Sequence, residues 1–262
     1  MDAAYTFADW TEFARDALQK SEVARMEGFV TDIWLAAAQS EVEQLVTANG
    51  NGDYELFNPG QWDCHTITSF LDDSRLEDFF ESLTTPPTNG TSVGGYQRRG
   101  LRILHAAGSV HSRPFRWHYD GSAMTMIVPI VVPNDGSGQL AIFPDSRPHR
   151  RSAVISTGEK LLAENWLYQW WSKRRFEKDA AAHTVALRPG NAYVFRGYRS
   201  LHAVFPWRPG EQRVTLVLHY GYPYGAEGPD LRAGRRCRKP WRRASETPRP
   251  AGHLPRQVSW PE

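Results

Sequence analysis

Apolar residues recur at three- and four-residue steps over the first fifty positions. Phe7, Trp10, Phe13, Ala14 and Ala17-Leu18 mark one helical face, and Phe29 to Val46 marks a second. Leu35-Ala36-Ala37-Ala38 suits a helix interior, and Asn49-Gly50-Asn51-Gly52 ends the pattern. The spacing therefore predicts helix over most of 5–48, followed by a short helix near Arg75–Leu83 and a loop through Pro86-Pro87 and Asn89-Gly90. From about residue 92 the character changes. Gly100–His105, Arg116–Asp120, Thr125–Val132 and Gln139–Phe143 read as strands, and Thr125–Val132 reads as a buried one despite Pro129. Residues 158–178 read as a helical insertion rich in Trp and charge. Thr184–Leu187, Ala192–Phe195, Ala203–Phe205 and Arg213–Tyr220 complete the strands, separated by turns through Pro189-Gly190 and Pro209-Gly210.

Many short strands between Gly/Pro turns predict a mainly β sandwich or barrel with flanking helices. The expected organisation is an N-terminal helical support region over 1–95, a β core over 96–224 and a C-terminal tail over 225–262, where Gly, Pro and Arg accumulate and no packed core is expected. Hydrophobic residues make up 40% of the 262, enough for a sizeable core.

Charge adds a contrast. Residues 232–243 carry seven Lys/Arg and no acid, and 244–262 is balanced, so the net +2 of the chain leaves −5 over 1–231. A mildly acidic body argues against nucleic acid as the principal ligand and reads the basic run as a solvated tail. Two distant cysteines, Cys64 and Cys237, give neither a disulfide scaffold nor a zinc pair. With no secretory pattern at the N-terminus and no long apolar run, a cytoplasmic location without membrane insertion is expected.

The candidate chemistry starts at Trp117-His118-Tyr119-Asp120-Gly121. Residues two apart share a strand face, so His118 and Asp120 can present an imidazole and a carboxylate to one point, with Tyr119 turned away. A second imidazole from a neighbouring strand would complete a two-histidine, one-carboxylate set, which leaves coordination positions open for oxygen chemistry at Fe(II). Alone the motif is weak, because a chain with nine His and this many acids holds about one His-x-acid by chance. The downstream order strengthens it. Leu187–Phe195 carries a Pro-Gly turn into a strand, His202 opens the next strand, and Arg213 follows eleven residues later beyond a second Pro-Gly turn.

In this His118-x-Asp120 … His202 … Arg213 order, with Gly136–Pro144 as linking segment, the chain resembles the Fe(II)/2-oxoglutarate-dependent dioxygenase superfamily over roughly 100–222. The resemblance implies a double-stranded β-helix, or jelly roll. It also implies Fe(II) held by His118, Asp120 and His202, and 2-oxoglutarate as cosubstrate with its distal carboxylate on Arg213. A guanidinium fork suits that carboxylate. Thr215, two residues on, either donates to the same carboxylate or simply packs in the strand. The implied reaction consumes O2, releases succinate and CO2, and oxidises a substrate C–H bond. Related halogenases carry a small residue where Asp120 stands, so hydroxylation, or another halide-free oxidation such as desaturation, is expected rather than halogenation.

A small-molecule substrate, such as an amino acid or natural-product intermediate, is the leading expectation. An oxygenase acting on nucleic acid or protein, favoured only by the basic tail with Trp241, and a cupin-like non-enzymatic binding protein are the alternatives. Arg116 is a candidate for a substrate acid group and Arg102 for a substrate or cosubstrate partner, each against plain surface charge. His219 falls on the Arg213/Thr215 face and reads either as a neighbour of the cosubstrate or, the commoner case, as a core histidine. His65, His105, His111, His149 and His183 show no partner pattern. Trp166, Trp170 and Trp171 read either as a lid or as a helix face packed on the sheet.

Overall fold

A computed structural model describes residues 6–50, 53–57, 63–84, 94–105, 116–148, 165–208 and 210–223. The basic tail and residues 158–164 of the expected helical insertion lie outside these. The elements in order are α1 (Phe7–Gln19), β1 (Ala24–Met26), α2 (Asp32–Asn49), β2 (Tyr54–Leu56), α3 (His65–Leu71), α4 (Ser74–Leu83), β3 (Tyr96–His105), β4 (Met124–Val131), β5 (Leu140–Phe143), α5 (Trp166–Lys178), β6 (Thr184–Val185), β7 (Ala192–Phe195), β8 (Leu201–Val204) and β9 (Gln212–Tyr220). The helices begin where their sequences supply a cap. Thr6 and Asp9 form a capping box on α1, and Thr31, Asp73 and Asn165 accept from the first turns of α2, α4 and α5.

Six strands form one antiparallel sheet in the order β1-β7-β4-β9-β3-β2, and three form a second in the order β6-β5-β8. The first sheet is covered on both faces, which explains the nearly unbroken burial along β4 and β9. Along β9, Val214, Leu216, Leu218 and Tyr220 point to a large core shared with α1–α4, including Trp10, Phe29, Phe70 and Phe80. The alternate residues Arg213, Thr215, Val217 and His219 face the space between the sheets. That space is closed at its apolar end by Ile127, Tyr193 and Phe195 of the large sheet packed on Leu140, Ile142 and Val185 of the small one. The outer face of the small sheet, through Ala141, Phe143, Leu201 and Ala203, packs with Trp117 and Phe176 of α5.

The layers are thus helices, large sheet, interior, small sheet and α5. This is the mainly antiparallel jelly-roll architecture expected, although among the described residues the two sheets do not close into a continuous barrel. Two short edge strands, β1 and β2, join the large sheet without any period-two signal in the sequence. The strand expected over Arg116–Asp120 is instead a single bridge, His118 to His202. The expected Thr184–Leu187 strand stops at Val185, because the Leu187 N–H donates to the Gln139 side chain rather than to a neighbouring strand. No helix among the described residues is long and apolar enough to cross a membrane.

Candidate metal centre

The backbone sets the distance between the two histidines. His118 N–H donates to His202 C=O at 2.9 Å, and His202 N–H returns to His118 C=O at 3.0 Å. Residues 116–119 gain this edge position because Gln169 of α5 completes their backbone bonding. Its Oε1 accepts from Trp117 N–H at 2.8 Å, and its Nε2 donates to Trp117 C=O at 2.6 Å. The Trp117 ring is fully buried against Phe143 and Phe176, 5.3 and 5.6 Å between centroids. Burying an aromatic of this size stabilises by about 4–6 kcal/mol. Trp117 and Tyr119 therefore face α5, where the Tyr119 hydroxyl meets Tyr168 and the Arg147 guanidinium lies 4.0 Å from its ring. His118 and Asp120 face the interior.

There the side chains converge. Ligand atoms of His118, Asp120 and His202 all lie within 4.8 Å of one another. His118 Nε2 stands 3.8 Å from Asp120 Oδ1, and His202 Nε2 stands 3.5 Å from Asp120 Oδ2. Each imidazole directs Nδ1 at the carbonyl two residues back, His118 at Arg116 (3.0 Å) and His202 at Ser200 (2.9 Å). A carbonyl accepts only, so Nδ1 carries the proton and the Nε2 lone pair faces the site. Burial and the neighbouring His202 push the His118 pKa down to about 4. Burial alone would raise Asp120, but His202, His219, His118 and the Thr125 hydroxyl together hold its carboxyl well below the usual carboxylate range. At neutral pH His118 is therefore a neutral imidazole and Asp120 a carboxylate, the protonation states metal binding requires of them.

Asp120 is fixed by groups that the sequence did not flag. Thr125 Oγ1 donates to Asp120 Oδ2 at 2.6 Å, and Ser122 Oγ lies 3.2 Å from Thr125 Oγ1 and 3.0 Å from His219 Nδ1. Gly197 closes over them. A Cβ there would overlap Thr125 Oγ1 and meet Asp120 Oδ2 at 2.7 Å, so only glycine allows the Gly197 carbonyl to accept from Asp120 N–H. His219 is largely buried and lies beside the Asp120 carboxylate, its Nδ1 3.7 Å from Oδ2. The Thr125↔His219 register on paired strands places it there, a long-range feature with no local signature.

Arg213 and Thr215 lie on the same interior face. Arg213 is 3% exposed, donates through Nε to Gly138 C=O at 3.0 Å, and brings one terminal nitrogen to 3.5 Å from Thr215 Oγ1. No carboxylate pairs with it among the described residues. Burial and the nearby Arg102 push its pKa down to about 9, which leaves it charged at neutral pH. Arg102 is ion-paired to Glu55 at 2.6 Å, whereas Arg116 is exposed and offers its carbonyl to His118. Trp166, Trp170 and Trp171 are each about half exposed or more along α5.

The protein is a jelly-roll β-sandwich carrying a His-x-Asp…His triad in its interior. Similar solved structures include the non-haem α-ketoglutarate-dependent carbocyclase SnoK from nogalamycin biosynthesis (TM-score 0.53, 10% identity, covering 87% of this chain and 92% of that one). The α-ketoglutarate-dependent epimerase SnoN from the same biosynthesis gives a TM-score of 0.50 at 15% identity, over 80% of this chain and 81% of that one. A prolyl hydroxylase from Trichoplax adhaerens, in complex with a hypoxia-inducible-factor peptide fragment, gives 0.50 at 16% identity over 80% and 88%. At these identities the likeness establishes the fold. No family model matches the sequence, and no curated protein matches it.

Proposed function

We propose that this protein is an Fe(II)- and 2-oxoglutarate-dependent oxygenase that hydroxylates an unactivated C–H bond of a small molecule. One observation carries the reading. A two-histidine, one-carboxylate set with donor atoms within 4.8 Å shares its interior with a buried guanidinium that has no carboxylate partner among the described residues. The donor set fits ferrous iron, which takes imidazole and carboxylate and needs open positions. His118 Nε2, His202 Nε2 and the Asp120 carboxylate would hold it. Arg213 would receive the distal carboxylate of 2-oxoglutarate, with the Thr215 hydroxyl beside it. When bound, iron and cosubstrate supply O2 activation coupled to release of succinate and CO2.

The chain's own residues supply the setting. The Arg116 and Ser200 carbonyls hold both imidazoles in the tautomer that presents Nε2. Thr125 orients Asp120 and stabilises its charge. Ile127, Ile142 and Phe195 form an apolar wall, with the Phe195 ring 5.0 Å from His202, and exclude water from one side of the centre. Asp120 fills the third protein position, which favours a halide-free oxidation. The natural-product enzymes among the structural neighbours support a small substrate.

The test is to load anaerobic protein with Fe(II) and 2-oxoglutarate, add a metabolite library and admit air. A product heavier by one oxygen, with matching succinate, is the expected result. His202→Ala should lose iron and Arg213→Ala should need far more 2-oxoglutarate. A protein that binds no stoichiometric Fe(II), or an Arg213→Ala variant with unchanged cosubstrate dependence, would sink the assignment.

A further inference from the structure

Arg98 and Arg102 lie opposite His219 and Thr215 in the β3–β9 ladder. Directly opposed residues share a face, so both arginines stand on the interior side of β3. With Arg213 they place three guanidinium groups along one wall. Among the described residues the one acid ion-paired to any of them is Glu55, the register partner of Arg102 on β2. Both side chains of that pair are about one-third exposed, 35% and 33%, and a pair so open contributes little. Arg102 Nε is buried and meets no acceptor. An unmet buried donor is costly, and a charged one more so.

Arg102 reaches from solvent into the interior: its side chain is about one-third exposed, yet it stands opposite Thr215 on the face that also carries Arg213. After β2 the chain bends over the inner face at Gly100, where a Cβ would collide with the Leu56 carbonyl and lie 2.8 Å from Phe57 Cα. Phe57 is thereby set under the Arg98 guanidinium at 4.3 Å. β3 thus offers an inner cation with a spare donor and an outer cation seated on an aromatic ring.

We propose that the substrate is itself an anion, bearing a carboxylate, phosphate or sulfate group that binds the inward Nε of Arg102, with Arg98 at the outer end of the same subsite. This rests on the functional reading above, in which the cosubstrate's distal carboxylate occupies Arg213. Glu55 acts as a placeholder that lowers affinity for stray anions and yields ground to a properly placed one.

Sulfate is a suitable probe because it is a fixed dianion at neutral pH. Protein loaded with Mn(II) and 2-oxoglutarate in the absence of O2 is titrated calorimetrically with sulfate at constant ionic strength. The wild type is expected to bind one sulfate. Arg102→Gln should weaken it at least tenfold, and Glu55→Gln should tighten it several-fold. A purely structural cross-strand pair predicts instead that both variants melt earlier and that Glu55→Gln gains no affinity. That result would overturn the proposal, as would displacement of sulfate by 2-oxoglutarate, which would assign Arg102 to the cosubstrate. If wild-type protein fails to take up Mn(II) or 2-oxoglutarate, the functional reading falls and this one with it. If both load normally and sulfate does not bind, the anionic substrate alone is rejected.

Discussion

Thr125→Val isolates the group that holds Asp120. Valine keeps the shape of threonine at a site 2% exposed, so packing is retained while the 2.6 Å donor to Asp120 Oδ2 is lost. A buried hydrogen bond to a charged acceptor contributes about 1.5–3 kcal/mol. At about 1.4 kcal/mol per factor of ten, the loss weakens metal binding by about tenfold to a hundredfold. Two neighbours temper it. Ser122 Oγ lies 3.2 Å from the lost hydroxyl and His219 Nδ1 lies 3.7 Å from the same carboxylate oxygen. A turn of either toward Asp120 would put the effect at the lower end. The assay is a Mn(II) titration against a competing chelator, on protein whose circular dichroism shows the native fold. An affinity within twofold of wild type would refute the claim that this hydroxyl sets the ligand.

Gly197→Ala forces a methyl against Thr125 Oγ1 and Asp120, and such overpacking costs about 1–3 kcal/mol. A differential scanning melt should show a loss of roughly 2–12 °C together with weaker Mn(II) binding; an unshifted melt would contradict the close approach. Arg213→Met should weaken 2-oxoglutarate binding a hundredfold or more, yet leave the melting temperature of metal-free protein unchanged or raised, because it removes a buried charge without orphaning a paired acid. A marked loss of stability would reveal an acidic partner. In metal-free protein His118 and His219 are both shifted down, so the unfolded chain takes up protons that the folded one refuses. Stability is then fully present above about pH 6.5 and declines as pH falls toward about 4, the reverse of a histidine paired with an acid. Denaturant melts across that window check the sign, and stability that rises on acidification would refute it.

Much of this was legible in the sequence because it is local or ordered along the chain. The Pro189-Gly190 turn and the apolar run after it locate β7, and Arg213–Tyr220 coincides with nearly all of β9. His118, Asp120 and His202 declared themselves by residue type and order, and the structure brings them together. What stayed hidden depends on register. Thr125 and Ser122 lie within five residues of Asp120, but their role appears only once β4 pairs with β9 and sets His219 beside them. The edge strands β1 and β2 span three residues each, too few for alternation to register. Gly197 gave no sign because what demands it is a backbone crossing, not its own turn.

The reciprocal bonds between His118 and His202 have a consequence for how the protein matures. A ribosome-bound chain that has not yet emitted residue 202 owns two of the three triad side chains and no template to space them. On the proposed function, iron capture would wait for the small sheet to form, which would tie cofactor loading to completion of the fold. The same dependence reaches α5: Gln169 holds both backbone groups of Trp117, the residue before His118, so a change in that helix would be felt in the spacing of the triad.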